Sequence, residues 1–121
     1  MTLSLEMQSD VLLATLSGEI SESLAASRIK DVLRYAADKR ATKILANCLA
    51  VTGKLSIMER YSLAITAVTF ARSTRINPRV AIVGLPPTFD GFALRVAINR
   101  GGKGALFSDL ETALDWLKHT R

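Results

Sequence analysis

One cysteine, one histidine, three prolines and seven aromatic residues are spread through 121 residues, and each scarcity excludes something. The lone Cys48 has no partner for an internal disulfide. It sits inside an apolar run, where a thiol serves as a small core side chain, because a reactive thiolate needs a polar, exposed setting. With a single histidine, His119, there is no second imidazole for a metal site. His119 also lies in the last turn of a C-terminal helix pattern, where it suits the helix dipole better than a Ser-His-Asp arrangement. No apolar stretch approaches the roughly 20 residues of a membrane-spanning helix. The N-terminus carries Glu6 and Asp10 and no basic leader region, so a cytoplasmic, reduced setting is expected. Linkers, internal repeats and low-complexity segments are lacking. No pair of carboxylates meets on a predicted loop, which leaves the chain without the usual makings of an active site.

What is present is ordinary globular composition, 49% apolar and 22% charged. A chain of this size folds as a single domain over residues 1–121 and buries about two-thirds of its unfolded surface. Leu3, Leu5 and Met7 alternate with polar neighbours, Gln8-Ser9-Asp10 supplies a turn, and Val11 to Leu16 forms a second strand ending at Gly18, so the chain opens with a hairpin. A helix follows from Ser21 or Ser23 to about Arg40, with Leu24, Ile29, Val32, Leu33 and Ala36 on one stripe. The apolar run Lys43 to Val51 reads as a central strand buried on both faces. Ser56-x-x-Glu59 is a capping box opening a helix that ends near Ser73, with Ile57, Tyr61, Ala64, Ile65 and Val68 inward. Val80 to Gly84 is a short strand. Pro86-Pro87 punctuates the next loop, and Phe89 to Asn99 is a helix with Phe89, Phe92, Ala93 and Val96 inward, closed by Gly101-Gly102. Ala105-Leu106-Phe107 is the last strand. Ser108-x-x-Glu111 opens the last helix, striped by Leu110, Ala113, Leu114 and Leu117. The order ββαβαβαβα predicts an α/β fold with one mostly parallel sheet and an N-terminal hairpin.

These elements, with the residues that join them, resemble the STAS superfamily, and within it the small SpoIIAA-like bacterial proteins related to anti-sigma factor antagonists. The resemblance rests on Val51-Thr52-Gly53-Lys54-Leu55-Ser56 with Glu59-Arg60-Tyr61, on Arg79 to Gly84, and on Phe107-Ser108-Asp109 followed by Ala113-Leu114-Asp115-Trp116-Leu117. It implies a non-enzymatic regulatory module that works through a protein partner, with a homodimer left open. The antagonists carry a phosphorylatable serine just after the central strand, in an Asp-Leu/Phe-Ser pattern. That pattern falls here on Asn47-Cys48-Leu49, with an amide for the acid and no hydroxyl at Leu49. The nearest hydroxyls, Thr52 and Ser56, are the candidate phosphate acceptors. Ser56 also reads as a plain N-cap, and Glu59 beside it would repel a phosphate. CRAL-TRIO lipid-transfer domains share a related topology, which opens a second expectation, a carrier of a small apolar or anionic ligand such as a lipid or metabolite.

In open α/β sheets ligands and partners gather at the carboxyl ends of the strands. The expected rim therefore comprises Thr52, Gly53, Lys54 and Ser56 on one loop and Thr88, Phe89, Asp90 and Phe92 on another, with Phe89 and Phe92 flanking an apolar slot and Lys54 supplying charge. Thr52-Gly53-Lys54 is not a nucleotide-binding loop. That motif needs a glycine where Cys48 stands and Ser or Thr where Leu55 stands. No catalytic residue, cofactor or metal ligand is assigned. A docking module predicts a filled core and an exposed apolar patch, whereas a carrier predicts an interior cavity.

Charge is sorted by element end. Lys39, Arg40, Lys43, Arg72, Arg75, Arg79, Arg100, Lys103, Lys118, His119 and Arg121 lie near helix ends, whereas Glu19, Glu22, Glu59, Asp90, Asp109 and Glu111 lie near helix starts. Dipole complementarity is the favoured account of this sorting, and a basic pole that docks an acidic protein, membrane surface or nucleic acid is the alternative. No aromatic residue interleaves the basic ones, so no specific nucleic-acid surface is expected.

Overall fold

The computed structural model describes residues 1–119. Its elements run β1 (Thr2–Gln8), β2 (Val11–Glu19), α1 (Glu22–Lys39), β3 (Lys43–Thr52), α2 (Ile57–Ser73), β4 (Arg79–Val83), α3 (Phe92–Asn99), β5 (Lys103–Phe107) and α4 (Leu110–His119). The five strands lie in the order β1-β2-β3-β4-β5. β1 pairs antiparallel with β2, and every other pairing is parallel. The α/β class, the mostly parallel sheet and the leading hairpin agree with the expectation above.

Each parallel strand neighbours its successor, so three right-handed crossovers place α1, α2 and α3 on the same face. Leu12, Ala14, Leu16, Ile44, Cys48 and Val51 meet Val32, Leu33 and Ala36 of α1 there. α4 follows the last strand and crosses to nothing. It folds back over the other face, where Ala113 and Leu117 cover Val11, Leu45, Ala81 and Val83. The central strands are therefore apolar on both sides, as a parallel sheet demands.

Several local expectations shift. Ser21 rather than Ser23 caps α1, accepting from the Leu24 amide at 3.3 Å, and Leu24 turns outward while Ala25 is buried. The Ser108–Glu111 box does not form. Asp109 caps α4 instead, its Oδ1 accepting from Thr112 N at 2.8 Å and its Oδ2 from Thr112 Oγ1 at 3.1 Å. A carboxylate makes the stronger cap, so the helix starts one residue later. These same two bonds lower the Asp109 pKa. α3 begins at Phe92, not Phe89, because Gly91 takes a positive φ of 85° and breaks the turn before it. Leu110 is exposed, while Ala113 and Leu117 are buried as expected. The strand register aligns Lys43, Arg79 and Lys103 across three neighbouring strands at the amino end of the sheet, which makes that end basic. Arg121 lies outside the described residues.

Candidate functional site

β3 outruns its neighbour. β4 pairs only with Lys43 to Asn47, so Cys48 to Thr52 project past the end of β4. On the other side the register with β2 jumps from Thr15↔Asn47 to Ser17↔Ala50, placing Cys48 and Leu49 opposite the single residue Leu16. That is a β-bulge, and the Asn47 side chain braces it by accepting from the Leu49 amide at 3.2 Å. The extra residue shifts the alternation. Cys48 and Val51 both face the helices and are buried, whereas Leu49 is 42% exposed and Ala50 is exposed. The central strand is thus two-sided core only up to the bulge, a correction to the continuous burial its apolar run predicts. Burial pushes the Cys48 thiol up to about 12, so it stays protonated and inert.

The two predicted loops do meet. Thr88 Oγ1 donates to the Gly53 carbonyl at 2.6 Å, and Ile20 N donates to the Thr52 carbonyl at 2.8 Å, pinning the loop to β2. Gly53 adopts a φ of 93° against Ile20, which a side-chain-bearing residue would resist. A shallow groove lies between these loops, lined by Leu49, Thr52, Lys54, Leu85, Pro86 and Thr88 among others. Lys54 stands exposed at its edge and makes no ion pair among the described residues.

Ser56 forms the predicted capping box. Its N–H donates to Glu59 Oε1 at 2.9 Å, and its Oγ accepts from Glu59 N at 3.1 Å. Ser56→Ala should cost about 1 kcal/mol, read as a lower urea midpoint with unchanged m-value, and Ser56→Asp should restore most of it because aspartate also caps. If alanine left the midpoint where it was, the box would contribute nothing to α2.

Arg60 is the residue the sequence reading missed. It is 9% exposed, the single buried charged side chain among the described residues. Its guanidinium pairs with Asp90 Oδ2, lies 5.7 Å from the Phe92 ring centroid, and reaches the Ser56 carbonyl from Nε at 3.4 Å. Asp90 Oδ1 accepts from the Phe92 amide at 3.0 Å, so one carboxylate ties α2 to the start of α3. The Arg60 contact, followed by that amide, holds the Asp90 carboxyl below the usual carboxylate range. The expected slot between Phe89 and Phe92 is absent. Phe89 packs inward over Gly84, and Phe92 lies beneath Arg60.

With Arg60 on the inner face, the α2 stripe becomes Arg60, Leu63 and Ala64. The helix is rotated relative to the expected stripe, so Ile57 is 60% exposed, Met58 is 74% exposed, and Tyr61 also faces out. The only sequence signal for this was the uninterrupted alanine spacing Ala64, Ala67 and Ala71, which shares a face with Arg60.

The described residues contain no cluster of metal ligands, and no helix among them is long and apolar enough to cross a membrane. No protein-family model and no curated protein matches the chain. Solved structures do. An anti-sigma factor antagonist from Mycobacterium paratuberculosis superposes with a TM-score of 0.62 at 15% identity, over 97% of this chain and 93% of that one. The anti-sigma factor antagonist SpoIIAA in its unphosphorylated form superposes with a TM-score of 0.54 at 17% identity, over 98% of this chain and 99% of that one. The hairpin, the parallel sheet and the lone α4 on the far face are thus the fold of the anti-sigma factor antagonists, and it spans nearly the whole chain.

Proposed function

We propose that this chain is a non-enzymatic regulatory module that docks a protein through the carboxyl end of its sheet. The observation that carries this reading is the exposure of large apolar side chains there. Leu49 on the bulge, Leu85 on the opposite loop, and Ile57 and Met58 on the first turn of α2 all face outward. Scattered exposed apolar residues need no account, but four at one end of a domain mark a contact surface. Lys54 adds a free charge beside them, the arrangement of an apolar centre with a polar rim. The structural likeness to anti-sigma factor antagonists points to an anti-sigma factor as the partner class. By the resemblance drawn from the sequence, the family's phosphoacceptor position falls on Leu49, so the contact is read as unswitched at that position, with Ser56 and Thr52 left as candidate acceptors. Ser56 already spends its hydroxyl on the cap, which leaves Thr52 the less committed of the two.

The test is binding by biolayer interferometry to each purified anti-sigma factor of the source organism. One of them should bind saturably. Met58→Asp and Leu49→Asp should each weaken it by at least about tenfold, and Lys54→Glu should weaken it by slowing association. Lys118→Glu, at the opposite pole, should leave it unchanged. Rim variants that bind as well as the parent would move the contact elsewhere, and binding to none of these proteins would refute the partner class.

A further inference from the structure

The two faces of the sheet are filled unequally. On the α4 side, Ala81 and Val83 of β4 are fully buried. On the other side, Val80 and Ile82 of the same strand keep accessible surface although they point into the helix layer. α3 has no buried residue at all. α2 makes most of its contacts with α1 and α3, and what it and α3 turn toward the cavity includes the small Ala64, Ala67, Ala93 and Ala97 beside the larger Leu63 and Leu94. The result is a cavity of about 370 Å³ beneath the helices of this face, against β3, β4 and β5 and reaching Val32 and Leu33 of α1. Protein interiors leave few voids larger than a water molecule. Apolar cavities of about 150 Å³ already take up small hydrocarbons, and ligand sites run from about 300 to 1,000 Å³.

The two ends of the cavity differ in charge. At the carboxyl end of the sheet, Arg60 and Asp90 neutralise each other. At the amino end stand Arg72 and Arg100, which have no ion pair among the described residues. Arg72 donates to the Arg100 carbonyl, and Arg100 donates to the Tyr61 hydroxyl at 2.7 Å. An apolar chamber with an unneutralised cationic end fits a molecule that is apolar along its length and anionic at one end. We propose that this cavity binds a single-chain anionic amphiphile of the long-chain fatty acid class, its tail between α2–α3 and the sheet and its acid group at Arg72 and Arg100. Thr88 lines both this cavity and the groove at the rim, so the chain has the exposed patch expected of a docking module together with the cavity expected of a carrier. The acid group lies at the opposite end from the rim, and neither reading depends on the other.

The test uses the full, delipidated chain titrated with cis-parinaric acid, a fluorescent fatty acid. Bound probe is then displaced by dodecanoate, dodecanol or dodecyltrimethylammonium. The expected result is saturable fluorescence at one site, with dodecanoate displacing at least about tenfold better than the cationic amphiphile. Ala67→Phe fills the chamber with side chain and should weaken the probe by about tenfold or more while the protein still melts cooperatively. Ala97→Leu serves the same purpose if the phenylalanine variant does not fold. Arg72→Gln combined with Arg100→Gln should abolish the preference for acid over cation and leave displacement by dodecanol within about twofold. No saturable signal, or full probe affinity in a folded cavity-filling variant, would overturn the site. Equal displacement by acid and cation would overturn its anionic end.

Discussion

Replacing Asp90 by alanine should lower the unfolding free energy by about 1.5–3 kcal/mol, an effect out of proportion to an exposed loop carboxylate. The reason lies in Arg60. Its guanidinium is desolvated against Phe92 and the start of α2, with Asp90 as its charge partner. Removing the carboxylate leaves a cation that cannot regain full hydration without pulling α2 off the sheet. Full burial would raise the cost further, but the outer side of Asp90 meets water, so the pair is partly screened. Arg60→Met should cost less than Asp90→Ala, because it removes the buried charge together with its need for a partner. A double-mutant cycle separates the pair from the helix tether that Asp90 also makes.

Acid should erase this contribution in a definite direction. Asp90 titrates lower in the folded chain than in the unfolded one. The unfolded chain therefore takes up the proton first, and the stabilisation is complete above the ordinary carboxylate pKa of about 4. It is lost as pH falls through the depressed folded value. Urea midpoints of the parent and Asp90→Asn should differ by a constant amount from about pH 8 to pH 5 and converge below about pH 4. A gap that widened on acidification would mean the pair does not carry the effect.

Gly84→Ala should destabilise by about 2 kcal/mol or more, for a steric reason. A Cβ at residue 84 would stand 2.4 Å from Cδ2 and 2.7 Å from Cγ of Phe89, and Gly84 is buried at the end of β4 with its amide bonded to the Phe107 carbonyl. Neither the strand end nor the ring can yield cheaply, because Phe89 also packs on the core beneath α1. Its φ lies outside the positive region, so alanine suffers no backbone strain and the whole cost is the clash. Phe89→Leu should therefore recover part of the loss when combined with Gly84→Ala, giving a favourable coupling by thermal or urea unfolding. Equal losses in the single and double variants would assign the effect to the strand instead. The neighbouring residue, Thr88, holds Gly53, so the same substitution should also loosen the proposed docking rim.

Local chemistry was readable from the sequence. The cap at Ser56 and the alternation of Leu3, Leu5 and Met7 involve residues within a turn or two of one another, and each came out as read. The order of strands and helices followed too, because hydrophobic period and turn residues act over short windows. The burial of Cys48 followed from its apolar neighbours. Chain-distant pairing decided the rest. The bulge that turns Leu49 outward exists because β2 and β3 slip in register past Leu16, and no window on β3 alone contains that partner. Arg60 is inward because Asp90, thirty residues away in sequence, supplies its charge partner. A periodicity count treats an arginine as outward and so rotated α2 the wrong way. The cavity also belongs to the tertiary structure, since alanines on a helix bring it close to a sheet, as Ala113 does, or leave a gap, as Ala67 does, according to what the neighbouring helices allow.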